Sequence, residues 1–249
     1  DVFIMLPAKY ALAYAQQFCL AFSRKMNEVT QDLRQQNDLP AITMSAGVVI
    51  CKQSYPYLLA HKLGEQLLRQ TKQVVKFAGP AYGWRSAVSF DLVIGSAGRN
   101  GRSYPGKYRP TLGTYWAEDD VVNDAALPLE RLFEQRLALE NRQNPLPAKR
   151  RAELRDLFDQ PPKDPATYED WDRQFDNLMR RIKATVPKET YQSLNTALAQ
   201  LGQKATKASP TIWRKVIRAG KQYHAHGLLD LFTVWQYAQS LDEDLSRYE

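Results

Sequence analysis

The chain is poor in the residues that build metal and disulfide sites. It has two cysteines, Cys19 and Cys51, and three histidines, His61, His224 and His226, in 249 residues. No zinc-type Cys/His spacing can be drawn from residues so scattered. Both cysteines fall in stretches that read as core, so buried free thiols and a cytoplasmic setting are expected. Long apolar runs are missing too. None approaches the roughly 18 residues that cross a bilayer, and no secretion-signal pattern is visible. There is no P-loop, no GxGxxG after a strand, no HExxH and no Gly-x-Ser-x-Gly elbow. Acids are absent between Glu189 and Asp230. In that window stand Lys204, Lys207, Arg214, Lys215, Arg218 and Lys221. With a net charge of +7, the chain favours an anionic partner.

What is present is organised around residues 41–76. Ile42, Met44, Ala46, Val48 and Ile50 share one strand face, while Thr43, Ser45 and Gly47 form a small, polar end on the other. A ligand or another backbone could come close there. Past Pro56 a helix is expected over 57–76, with Leu59, Leu63, Leu67, Leu68, Val74 and Val75 on one arc beside Ala60, Gly64 and Thr71. Lys62, Arg69, Lys72 and Lys76 fall on the other arc. The pair reads as a βα unit with cations at its rim.

Upstream, Asp1–Leu6 reads as a strand that starts with no cap or turn before it, so the chain is expected to begin inside a larger protein. Pro7 opens a long helix whose stripe is Leu12, Ala15, Cys19, Phe22, Met26, Val29 and Leu33. Downstream, a turn at Gly79–Gly83 leads to a strand over 86–95 with Asp91 in its middle. The pattern is then lost up to residue 127. Arg99, Arg102, Lys107 and Arg109, with Tyr104 and Tyr108, suit RNA phosphates and stacked bases. A helical half follows from Pro128. Helices are expected near 128–141, 147–159, 167–185, 188–201, 209–221 and 226–241. In the fifth, Trp213, Val216 and Ile217 should be buried while Arg214, Arg218 and Lys221 face out. Such a basic face binds nucleic acid or an acidic protein. The division expected is therefore 1–127 and 128–249.

Four motifs carry a family resemblance. Asp1-Val2-Phe3 resembles the end of a GGDD hairpin. Met44–Ile50 resembles an "SAGV" strand. Tyr55-Pro56, Leu58-Leu59 and Leu67–Lys72 resemble the helix after that strand. Ser89–Val93 with Tyr108-Arg109-Pro110 resembles a "DF.vv … RP" segment. Together, over residues 1–116, the chain resembles the palm-domain large subunit of type III CRISPR RNA-guided effector complexes, its C-terminal portion.

The resemblance implies a fold and a function. The fold is α/β plus all-α: a partial ferredoxin-like palm of the nucleotide-cyclase or polymerase type, then a C-terminal helical domain. The implied function is conversion of ATP to cyclic oligoadenylate by nucleotidyl transfer when the complex engages target RNA. Two divalent ions, Mg²⁺ or Mn²⁺, assist, held by hard carboxylate oxygens. Asp1 matches a catalytic, metal-holding carboxylate. Lys72 matches the lysine that reaches the triphosphate, with Lys76 and Ser45 beside it. Arg99, Arg102, Lys107, Arg109, Arg214 and Arg218 are the candidate nucleic-acid contacts. Implied partners are the N-terminal half with the first palm, the other effector subunits, crRNA and target RNA. Without the first half of the motif, the segment alone is expected to be inactive. Two alternatives stand beside this: a non-catalytic palm scaffold that binds RNA and neighbouring subunits, and a diguanylate-cyclase-like enzyme.

Overall fold

The structure, a computed structural model, describes residues 2–94, 97–98, 107–119, 123–141, 143–203, 211–218 and 221–239. Strand β1 (Ser45–Ile50) is followed by helix α3 (Tyr57–Tyr82) and strand β2 (Ala87–Ile94). The two strands are parallel, in register from Ser45↔Ala87 to Ile50↔Leu92. A helical crossover is what a parallel pair requires. Beyond β2 the sheet adds β5 (Thr114–Trp116) antiparallel and then β6 (Leu127–Pro128) parallel to β5. The order is β1-β2-β5-β6, with the short β3 (Ala97–Gly98) folded back on β2.

Alternation decides what covers each face. Val48, Ile50, Val88, Phe90 and Tyr115 join the core that also holds Leu12, Ala15 and Cys19 of α1 (Ala11–Val29). The opposite face receives α3. There Val74, Val75 and Ala78 pack with Ala87 and Trp116. Gly47 marks the tightest point. A Cβ on it would lie 2.6 Å from the Gly64 carbonyl oxygen and 2.9 Å from the Leu68 amide nitrogen. The small end of the strand is thus filled by the backbone of α3, which only a glycine admits at this spacing.

Several sequence expectations are corrected. Val2–Leu6 forms no strand: Val2 to Met5 are 42–77% exposed and pair with nothing in a ladder. An apolar alternation becomes a strand only where another strand completes its hydrogen bonds. Pro7 precedes a single 3₁₀ turn, Ala8–Tyr10, before α1, and Thr30 separates α1 from α2 (Gln31–Asn37). The stripe loses its cover at that break, with Val29 and Leu33 exposed. Helix α3 runs past the expected turn, through Pro80, to a cap at Gly83, whose φ is +83°. Near a C-terminus a proline forfeits little, because few later turns depend on it.

The helical half follows its expected spacing through four helices: α4 (Glu130–Leu139), α5 (Ala148–Phe158), α6 (Pro165–Thr185) and α7 (Lys188–Leu201). Helix α6 opens on a capping box in which Asp164 accepts from the Thr167 amide at 2.9 Å. The next expectation fails. In place of a helix over 209–221 stand β7 (Arg214–Arg218) and β8 (Lys221–Ala225), an antiparallel pair. Arg214 and Val216 are buried while Lys215 between them is exposed, a period of two. Adjacent β-branched Val216 and Ile217 favour that period. The expected final helix shrinks to α8 (Leu228–Thr233), whose first five residues are all buried. With no polar face, it is a short core plug rather than an amphipathic helix.

The two halves share one hydrophobic core that runs from Leu12 to Ala238. They also share a sheet. β4 (Tyr108–Arg109) pairs parallel with β8, giving the order β4-β8-β7. Asp230 ties them further. Its Oδ2 accepts from the amides of Leu112 (2.7 Å) and Gly113 (3.3 Å) and from the Tyr115 hydroxyl (2.6 Å).

Candidate functional site

Two surfaces gather the candidate residues. The first is the outer row of α3. Lys62, Arg69, Lys72 and Lys76 are exposed, as a lysine stem on a packed amphipathic helix should be. Lys72 and Lys76 are one turn apart. Thr71, next to Lys72, is fully buried and 3.2 Å from the Ala46 carbonyl oxygen. Lys72 therefore sits at the Ser45 end of β1, and Ser45 is half-buried there. The structure thus brings Ser45 and Lys72 to the same end of the sheet.

It does not bring the N-terminal segment to that end. Phe3 packs on Tyr57 and His61, with ring centroids 5.5 Å apart in each case. Lys72 lies eleven positions beyond His61, or about 16 Å along the helix at 1.5 Å per residue. Asp1 itself lies outside the described residues. Among those described, no group of three His, Cys, Asp or Glu is placed to hold a metal ion. Asp91, the strand carboxylate, is 3% exposed and lies opposite Val49, under α3. It does not face an open cleft.

The second surface is the β4–β8–β7 sheet. It joins two basic stretches that are far apart in sequence. Lys107 and Arg109 come from the first, Lys215 and Lys221 from the second. Lys107, Lys215 and Lys221 are exposed, and Arg109 is half-buried with its guanidinium 4.7 Å from the Tyr223 ring centroid. His224 pairs across the strands with Lys215 and with Tyr108, on which it stacks at 5.1 Å. Burial holds the His224 imidazole below its ordinary range. A hydrogen bond to the Trp213 backbone opposes this, and the nearby charges of Lys107 and Lys215 reinforce it.

Arg214 overturns its expected role as an outward nucleic-acid contact. It is 7% exposed and donates to the Asn123 carbonyl oxygen at 2.7 Å. Burial pulls its pKa down, opposed by the Asp124 carboxylate. In a strand the position faces the core, where a helix would have turned it outward. Arg218 ends β7, but its side chain lies outside the described residues, as do Arg99 and Arg102. The sequence pattern missed Tyr223 and His224. Lys221–Ala225 passes from exposed to buried along its length without alternating, so no strand period marked these two residues.

Cys19 and Cys51 are free thiols. Burial, with a smaller push from the Glu118 carboxylate, raises Cys19 to about 12, so it is a core residue and not a nucleophile. Among the described residues, no helix is long and apolar enough to cross a membrane. No protein-family model and no curated protein matches the chain.

Proposed function

We propose that this chain is part of the palm-domain large subunit of a type III CRISPR effector complex. The complete subunit would convert ATP to cyclic oligoadenylate when target RNA binds. One observation carries the reading: the parallel β1–α3–β2 unit puts Ser45 and the exposed Lys72 and Lys76 at one end of the sheet. An ammonium pair on a helix flank above a strand end is suited to a triphosphate. Lys72 and Lys76 would orient the phosphates, and Ser45 would offer a hydroxyl to them. The carboxylates for Mg²⁺ or Mn²⁺ would come from the preceding half of the subunit, since Phe3 packs near the start of α3, away from Lys72. Arg109 and Lys107 would lie toward the RNA.

The test is assembly of this chain with the N-terminal half of the subunit, the other effector subunits, crRNA and target RNA. With ATP and Mg²⁺, oligoadenylate should appear. Lys72→Ala should cut its rate by about a hundredfold, the size of effect expected when one charged group that holds a phosphate is removed from a transition state. A complete assembly that makes no oligoadenylate sinks the catalytic reading, and so does full activity in Lys72→Ala.

A second reading is favoured by the packing of Phe3 on His61, about 16 Å along the helix from Lys72. In it the palm is a scaffold without chemistry, and its basic surfaces hold RNA and neighbouring subunits. That outcome is recognised by normal assembly and no ATP turnover. GTP in place of ATP separates both from a diguanylate-cyclase-like activity.

A further inference from the structure

We infer that the groove between α6 and α7 binds an extended basic peptide of a partner protein, with its arginine or lysine side chains on Asp172 and Asp176. The groove belongs to the helical half, so this binding stands apart from any ATP chemistry. Its volume is about 560 Å³. Phe175, Met179 and Leu198 make its buried floor, and Asp176 and Asn195 stand exposed at its rim. Asp172 lies one helical turn before Asp176, on the same flank of α6.

The chain carries a net charge of +7, yet among the described residues neither of these carboxylates makes an ion pair. The arginines beside them in sequence are engaged elsewhere: Arg173 pairs with Asp170, and Arg180 donates to Asn177 Oδ1 at 2.8 Å. Lys183 stands over the Tyr191 ring at 5.9 Å from its centroid, roughly 10 Å along the helix from Asp176. Burial, and then repulsion from Asp176, hold the half-buried Asp172 carboxyl above its ordinary range, while the Tyr168 hydroxyl, donating at 3.3 Å, opposes this. A cation bound between the two acids relieves that repulsion. Along the helix axis the acids are about 6 Å apart, and same-side residues of an extended chain repeat at about 6.6 Å. One peptide can therefore set two cations on both acids. The Asn195 carboxamide offers a donor and an acceptor, which is what a peptide unit also presents. An amphipathic helix would need a broad apolar face to rest on, whereas the floor residues here are only 4–7% exposed.

The experiment uses this chain and a fluorescein-labelled peptide of about ten residues, long enough to span roughly 33 Å when extended. It carries two arginines two positions apart, with serine, threonine and glycine elsewhere. Anisotropy should show binding below about 1 mM. The same peptide with citrulline for arginine, which keeps the shape and removes the charge, should bind at least about tenfold more weakly. The combined Asp172→Asn, Asp176→Asn variant should lose about tenfold. Asp32→Asn, Glu65→Gln removes the same charge from exposed positions elsewhere and should stay within about twofold of the parent. Asn195→Trp puts a large ring at the exposed rim and leaves every charge in place; it should weaken binding at least about fivefold by blocking the groove. Circular dichroism confirms that each variant is folded. The proposal falls if no binding is seen up to about 1 mM, if the two double variants lose affinity equally, or if Asn195→Trp binds like the parent. It also falls if moving the arginines five positions apart costs nothing, or if spermidine displaces the labelled peptide as well as unlabelled peptide does, since charge alone would then be what is read.

Discussion

The β1–α3–β2 unit closes on itself within the stretch from Ser45 to Ile94. The β4–β8–β7 sheet joins Tyr108 to His224 across most of the second half of the chain. Their buried polar groups differ as well. Under α3, beside the buried Asp91 carboxylate, Thr71, Ser89 and Thr114 form a chain of neutral hydroxyls, with oxygens 2.7 and 2.8 Å apart. Around the small sheet they are ionisable: Arg214, His226 and Asp230 are all buried. Neutral hydroxyls cost little to bury once paired, whereas a buried charge costs several kcal/mol unless its partners are in place. The hydroxyl chain of the locally assembled region should therefore tolerate loss of one member, and the ionisable groups of the long-range region should not tolerate loss of a partner.

Asp230→Ala puts the greatest strain on that contrast. It leaves the Leu112 and Gly113 amides and the Tyr115 hydroxyl without their shared acceptor. A loss of about 3–4 kcal/mol is expected in urea unfolding, from unsatisfied buried donors at about 1–3 kcal/mol each with partial relaxation. Amide exchange should rise first in Lys221–Ala225 and around Leu112, and last in β1 and β2. A loss below about 1 kcal/mol, or uniform exchange, would mean that the long-range region does not depend on this carboxylate.

The same contrast explains what could be read from sequence. Helices α4 to α7 announce themselves because their stripes, capping residues and prolines lie within the element. Strand β1 does so by alternation, and the close approach at Gly47 follows from its missing side chain. Val2–Leu6 shows the same alternation and forms no strand, because pairing is a property of the neighbour and not of the segment. Trp213–Arg218 was ambiguous on its own: arginines at 214 and 218 are one helical turn apart, yet also both on one strand face. Contact with β8 decides between them, and β8 takes its place from β4, far upstream. Convergence of two basic stretches on one sheet is likewise a tertiary fact. Lys107, Lys215 and Lys221 are visible singly in the sequence, but their gathering on one small sheet is not.

Acid should separate the regions more gently. His226 is fully buried, with Nε2 3.1 Å from the Leu198 carbonyl oxygen and Nδ1 accepting from the Leu228 amide at 3.0 Å. Burial pulls its pKa down to about 3, against the opposing bond to Leu198 and with a further push from Arg214. The unfolded chain takes up a proton at this imidazole near its ordinary value of 6.5, while the folded chain does not. Stability from His226 is therefore complete above that value and is lost as pH falls from 6.5 toward 3, by up to about 1.4 kcal/mol per unit. His224, also held low, adds to the slope in the same direction. Urea midpoints measured between neutral pH and pH 4 should fall accordingly, with tryptophan emission from around Trp213 changing before the far-ultraviolet signal of the helices. A flat profile over that range would show that the imidazole is reached by water in the folded state.

Thr71→Val tests the tolerant side and should have the smallest effect. The Thr71 hydroxyl donates to Ser89 Oγ at 2.7 Å, with the carbonyl oxygens of Leu67 and Ala46 at 2.8 and 3.2 Å. Valine keeps the shape and the β-branch and removes the one hydroxyl. Ser89 keeps Thr114 as its partner at 2.8 Å, and the Leu67 carbonyl remains in the hydrogen bonding of its helix. No buried donor is orphaned, so the cost is the net worth of one hydrogen bond, about 1 kcal/mol, partly offset by the added methyl group. The slope of stability against pH should be unchanged, because no titrating group is touched. A loss near that of Asp230→Ala would mean that the hydroxyl chain under α3 is a cooperative network rather than a set of replaceable bonds, and the contrast between the two sheets would then lie in topology alone.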